Sequence, residues 1–211
     1  MSNSNYGNWR VGVGDHPICS AGGELIEDIT VEEYYYPSHG YIWPSAQKLW
    51  IINSFESWDA GYDVAEGNEK PNSWAPYYMT IASDSDGQLY GNLTRADGLG
   101  GTGDLWHVYP QNVGSSVSLK DGTWNRIKFR CKLNTPGLND GIFKLWINGE
   151  LKCNYEDINF RGTYVKFGWN HLMMTMNASS IPQTQWVSRD DIKIVAGTGV
   201  YIPTLRLVES K

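Results

Sequence analysis

Residues 123–155 read TWNRIKFRCKLNTPGLNDGIFKLWINGELKCNY, and this stretch decides the fold class. Ile127, Phe129, Cys131 and Leu133 alternate with Arg126, Lys128, Arg130 and Lys132. Such period-two alternation marks a strand with one buried face. The next eight residues, Asn134 to Gly141, are rich in turn formers. Ile142–Ile147 then meets Asn148-Gly149 and returns as Glu150–Tyr155, the pattern of a β-hairpin. A tight two-residue turn would pair Leu145 with Lys152 and Phe143 with Asn154, mixing apolar and polar on one face. A three-residue turn with Gly149 in a bulge pairs Leu145 with Leu151 and Phe143 with Cys153, so that register is expected. Lys144, Trp146, Glu150 and Lys152 then share the opposite face.

Working outward, the same grammar recurs. Asn8–Val13 reads as an edge strand, Glu24–Tyr36 as a longer strand ending in three tyrosines, and Lys48–Asn53 as a short strand apolar on both faces, hence central. Tyr77–Ala82 and Gln88–Arg95 flank the turn Ser83-Asp-Ser-Asp-Gly87. Leu105–Gln111, Tyr164–Met176, 190–195 and 200–208 complete a set of about ten to fourteen strands at sandwich spacing. No long helical period and no internal repeat is present. The 211 residues are expected to form a single domain, 1–211, large enough to bury a core.

Composition narrows function. Ten Trp and 13 Tyr against 5 Phe favour rings with a polar handle, suited to half-wet contact surfaces. With a net charge of −6 and scattered basic residues there is no stripe to neutralise phosphates, so nucleic acid is not an expected partner. No apolar run approaches the roughly 18 residues of a membrane helix, so no membrane insertion is expected. The start, MSNSNYGNW, lacks a charged region followed by an apolar one, so no signal peptide is visible. Cys19, Cys131 and Cys153 lack metal-ligand spacing. The last two fall on the apolar face as buried free thiols, with a Cys131–Cys153 bridge the alternative. Asn92-Leu-Thr and Asn177-Ala-Ser are glycosylation sequons.

Several residue groups have the chemistry of a site. His107, Tyr109 and Gln111 share one side of a strand by alternation and could converge in a cleft, for catalysis or for glycan contact alone; a solvated strand face is the competing reading. Lys128, Arg130 and Lys144 with Trp146 would suit an acidic sugar, or form a solvated outer sheet face with apolar stems covering the surface. His39, Tyr41 and Trp43, in a Pro-bounded loop, would make a stacking rim or pack the loop. His171, in a Met-rich run, reads as a core histidine. Asp84 with Asp86, or Asp190 with Asp191, would offer oxygen ligands to calcium, but neither pair suffices alone. No cofactor is expected. Glu56 and Asp59 lack the setting of a glycosidase pair.

The order of these motifs carries a resemblance. Val31–Tyr36 is followed by Lys48–Ile52, then Trp124–Leu133, the Thr135–Gly141 loop, the Leu-Trp-Ile-Asn-Gly-Glu-Leu hairpin and Asp190–Ile192. The chain resembles the concanavalin A-like lectin and glucanase jelly rolls, and within them the polysaccharide-lyase-like proteins of microbes and their viruses. The likeness is best over 120–195 and thinner over 25–55. It implies an all-β, two-sheet antiparallel jelly-roll sandwich with very little helix, whose concave face holds a glycan. Lyases of this fold cleave uronic-acid chains by β-elimination, which needs a partner for the carboxylate and a base for the adjacent proton. On that reading His107 or Tyr109 is the base, Gln111 the carboxylate partner, and Lys48, at the family's Lys-Leu strand, a second carboxylate holder unless it is simply an exposed first residue. The competing expectation is a non-enzymatic virion decoration or appendage protein that adheres to cell-surface glycan, forms a homo-oligomer or joins a particle. Localisation is accordingly expected to be extracellular or on a virion surface.

Overall fold

In the computed structural model the described residues are 8–12, 25–44, 47–53, 78–94, 105–108, 118–163, 165, 168–175, 185–196 and 200–205; for 8–12, 53, 78, 80, 94, 105–108 and 200–205 the backbone alone is described. These residues form β1 (Asn8–Gly12), β2 (Asp28–Pro37), β3 (Gln47–Asn53), β4 (Tyr78–Ser83), β5 (Leu89–Thr94), β6 (Leu105–Val108), β7 (Asn125–Lys132), β8 (Gly141–Ile147), β9 (Glu150–Ile158), β10 (His171–Thr175), β11 (Val187–Ala196) and β12 (Val200–Leu205). Two six-stranded antiparallel sheets result, ordered β1-β10-β3-β4-β5-β6 and β12-β11-β2-β7-β8-β9. This is the all-β sandwich expected from the alternation, and β3 is central in its sheet, as its two apolar faces require.

Alternation decides which side of each strand meets the core. Ile29, Val31 and Tyr35 of β2, Ile127, Phe129 and Cys131 of β7, and Phe143, Leu145 and Ile147 of β8 face Trp50, Ile52, Met79, Ile81, Leu93, Leu172 and Met174 of the other sheet. Trp50 meets Phe129 edge-on across the layers, with ring centroids 6.0 Å apart. Each such side chain contributes roughly 1.5–3 kcal/mol by leaving water.

The hairpin departs from the expected register. Asn148 and Gly149 both adopt positive φ, 53° and 86°, and Ile147 pairs directly with Glu150, so the turn has two residues. That geometry matches the right-handed twist of the flanking strands, and Asn-Gly is its preferred dipeptide. The mismatch foreseen for such a turn is absorbed one step later. A bulge between the Leu145 and Trp146 pairings leaves Trp146 opposite Leu151 and Leu145 opposite Cys153. Leu151 is thereby half exposed while Cys153 is buried. The apolar face is saved by the bulge rather than by a longer turn.

Cys131 and Cys153 are both buried free thiols. Strand β8 separates them, Cys131 standing opposite Phe143 and Cys153 opposite Leu145, which removes the bridged alternative. Cys19 and Asn177 lie outside the described residues. The Asp84–Asp86 pair does turn chemistry: Asp84 Oδ1 accepts the backbone N–H groups of Asp86 and Gln88, and Gly87 sits at φ 79°.

Candidate functional site

The sheet built from β1, β10, β3, β4, β5 and β6 turns a second face away from the core. Its register fixes which residues share that face. Met173 stands opposite Ile51, Ile51 opposite Thr80, Thr80 opposite Asn92 and Asn92 opposite His107. Arg10 extends the row beyond Met173. The sequence neighbours Leu172, Met174, Ile52, Met79, Ile81 and Leu93 all belong to the core, so this row lies off it. A second row runs from Lys48 through Ala82 to Tyr90. On the other flank His171 stands opposite Asn53 and Gly12.

This face is recessed rather than flat to solvent. Ile51, Ala82, Tyr90 and His171 are buried, while Lys48, Asn92 and Met173 are half-buried. Asn92 Oδ1 is buried and has no hydrogen-bond partner, an acceptor left open within the row. Buried polar atoms are normally paired, so Asn92 Oδ1 is an exception on this face. The same position makes Asn92 a poor glycan acceptor, since it sits inside β5 rather than on a loop.

The expected catalytic trio is only partly described. His107 occupies β6 in the row just given, whereas Tyr109 and Gln111 lie outside the described residues. Lys48 is the second residue of β3, in the row beside it. The other expected substrate contacts are elsewhere. Lys128, Arg130, Lys144 and Trp146 occupy the outer face of the opposite sheet, because Ile127, Phe129, Cys131, Leu145 and Ile147 take its inner face. Two layers about 10 Å apart separate the two groups, so they cannot line one cleft.

The cations of that outer face are also largely spoken for. Arg130 donates from Nε and Nη2 to Asp28, and this bond raises its pKa. Lys144 pairs with Glu156 and, by that hydrogen bond, holds the carboxyl below its usual value. Arg126 pairs with Glu32 at 2.8 Å. Lys128 instead sits over the Trp146 ring, 5.1 Å from its centroid.

The stacking rim expected of His39, Tyr41 and Trp43 does not form. Tyr41 and Trp43 belong to the core, with ring centroids 4.9 Å apart, and Tyr41 donates to Gln47, which donates to Tyr35. The indole of Trp43 lies under Gly87, where an added Cβ would come within 2.6 Å of its Nε1. Only His39 of the three is exposed. The Tyr41 hydroxyl has its partner inside the fold, and the apolar ring area of both residues goes to the core.

The sequence offered Asn92 only as a sequon and His171 as a core histidine. The histidine is buried, as expected, but it alternates with the core residues Leu172 and Met174 and so falls on the off-core face. The alternation of His171-Leu-Met-Met-Thr175 carried that signal, which the Met-rich composition hid. Glu33 and Arg189 were also missed. Both lie on the core side of their strands, where charge is not anticipated.

A model of polysaccharide lyase family 14 matches residues 39–181, a range that contains β3 to β10 and so every strand of the recessed sheet except β1. Among solved structures, an alginate lyase from Chlorella virus is similar with a TM-score of 0.61 and 15% identity, covering 92% of this chain and 89% of that one. A marine family 14 alginate lyase from Aplysia kurodai gives 0.60 and 12%, covering 92% and 83%. An endo-β-1,4-glucuronan lyase from the fungus Trichoderma reesei gives 0.57 and 14%, covering 92% and 75%. At these identities the structures show the fold alone. No curated protein matches by sequence.

Proposed function

The chain belongs to polysaccharide lyase family 14, and from that membership we propose that it cleaves a uronic-acid polysaccharide by β-elimination in the recess of the β1-β10-β3-β4-β5-β6 sheet. The observation that carries the reading is the matched range itself, which covers five of the six strands of that sheet. The uronic substrate draws support from the alginate and glucuronan lyases that share the fold.

The chemistry asks three things of the recess. A cation or amide must neutralise the uronate carboxylate so that the adjacent carbon can give up its proton; Lys48 and Gln111 have the right chemistry. A base must take that proton; His107 or Tyr109 serves. As the electron pair forms the new C=C bond, the glycosidic C–O bond breaks and the departing oxygen needs a proton, which a tyrosine hydroxyl or imidazolium supplies. Asn92, across from His107, offers a hydrogen-bond acceptor to a sugar hydroxyl.

The test is the absorbance of the unsaturated uronate formed on alginate, glucuronan and heparin-like chains. Product that disappears in His107→Ala or Tyr109→Phe supports the reading. Silence on the whole panel, with stable multimers in solution, overturns it in favour of a glycan-adhesive structural protein.

A further inference from the structure

We propose that the outer face of the β12-β11-β2-β7-β8-β9 sheet carries a second, non-catalytic glycan site, a band from Trp186 to Trp146 that grips an anionic polysaccharide chain. The uronic nature of this occupant rests on the reading above; the site itself rests on its own geometry.

At one end of the band three rings form a cluster. Trp186 stacks on Tyr36, centroids 5.5 Å apart and planes 15° apart, and Trp124 tilts against the same ring at 5.3 Å. Tyr36 is half-buried, while Trp186 is 54% and Trp124 46% exposed. The main chain that carries each indole is hydrogen-bonded. Trp186 makes two hydrogen bonds with Ser38, its N–H donating to the Ser38 hydroxyl and its carbonyl accepting the Ser38 N–H at 3.0 Å. The backbone around Trp124 is pinned by Asn125, whose amide donates to the carbonyls of Thr123 and Lys120. Half-exposed indoles packed against the Tyr36 ring present flat apolar area, the property that sugar stacking uses.

The band continues along β2 and across to β8. Tyr34, half-buried on the same face as Tyr36, stands opposite Arg126. Glu32 stands opposite Lys128, and Lys128 opposite Trp146. Four residues along a strand and two strand spacings across amount to roughly 15–20 Å, room for several consecutive sugar units.

Charge selects the occupant. Glu32 is taken by Arg126, Asp28 by Arg130 and Glu156 by Lys144. Among the described residues Lys128, over the Trp146 ring, and Lys120, in the turn before Trp124, have no carboxylate partner. Asp190, opposite Tyr34, and Asp121, bonded to the Gly40 N–H, carry opposite charge and bound the band. A cation beside an indole suits a uronate, the ring meeting the C–H face and the ammonium the carboxylate.

The test is retardation of the full chain in native gels containing alginate or glucuronan, against a neutral glucan, in a His107→Ala background. We expect retardation by the uronic polymers alone. It weakens roughly tenfold in Trp124→Ala/Trp186→Ala, less in Lys128→Ala, and fades with salt. Product formation from short soluble oligouronates by the same substitutions in the His107 chain stays unchanged. Unaltered retardation in the double variant overturns the proposal, and equal retardation by neutral glucan overturns its anionic class. A dimer that the double variant converts to monomer also overturns it, assigning the band to self-association. Retardation lost in the double variant while the His107 chain makes no product sinks the lyase reading and leaves this site standing; product with unaltered retardation does the reverse.

Discussion

Glu33 and Arg189 form an ion pair inside the sandwich, Nη1 to Oε2 at 3.2 Å, with Glu33 fully buried and the Arg189 side chain 8% exposed. Glu33 also accepts the Trp50 indole N–H at 2.8 Å, and Arg189 Nη2 donates to the carbonyls of Leu49 and Thr175. Glu33 and Arg189 belong to one sheet; Trp50, Leu49 and Thr175 belong to the other. The pair therefore bolts the two layers together. The guanidinium also lies over the rings of Tyr35 and Trp50, at 5.2 and 5.7 Å.

Arg189→Met should be severe. It strands a buried carboxyl and two carbonyls, and breaking a buried pair by removing one partner costs about 3–5 kcal/mol. Urea denaturation measures it; a loss below about 1 kcal/mol, the scale of an exposed pair, would refute the bolt.

The same pair predicts a pH dependence. Burial pushes the Glu33 carboxyl above the usual carboxylate value, with Arg189 and the Trp50 N–H pulling it back in part. Below the unfolded value both states hold the proton, and the folded chain has the full benefit. As pH rises through the raised folded value that benefit is lost, because ionising the buried group is harder than ionising it unfolded. Glu33→Gln removes the titration. The stability of the parent chain minus that of Glu33→Gln should fall from acid to neutral pH; a flat or rising difference contradicts the sign.

Glycine substitutions should separate strain from collision. Gly149 has φ 86° and open space around it, so Gly149→Ala costs only the left-handed penalty, about 1–2 kcal/mol. At Gly141 an added Cβ would come within 2.4 Å of the Ile158 carbonyl oxygen, and at Gly168 within 2.4 Å of that of Ile26. Backbone must shift in both, so Gly141→Ala and Gly168→Ala should lower Tm further than Gly149→Ala.

Activity should follow the sheet, not the charge. Lys48→Ala and His107→Ala should abolish unsaturated product, whereas Arg130→Ala and Lys144→Ala, on the other sheet and already paired, should leave kcat/KM within about twofold, as surface substitutions do. A large loss in Arg130→Ala would place the reaction on the wrong side of the sandwich.

Cysteine chemistry gives a further check. Burial pushes the Cys131 thiol well above its usual value. In a Cys19→Ser background the native chain should resist a thiol reagent, and unfolding should release two reactive thiols. Fast reaction in the folded state would mean that β7 and β9 are not packed as described.

What the sequence determined by itself is the set of strands and their inner faces. Ile127-Phe129-Cys131 and Phe143-Leu145-Ile147 had to point one way, because water drives period-two apolar faces together whatever the topology. It also carried the family likeness in the order of its motifs. It did not determine what depends on crossing strands. Alternation cannot say that Lys128, Arg130 and Lys144 lie on one sheet while Lys48 and His107 lie on the other, since each strand knows only its own two sides. Nor could it say that Trp43 turns inward, or that Glu33 is buried opposite Arg189, because a buried charge is tolerable only where a distant partner arrives to meet it. Those choices belong to the tertiary structure, which alone brings residues 156 positions apart within hydrogen-bonding distance.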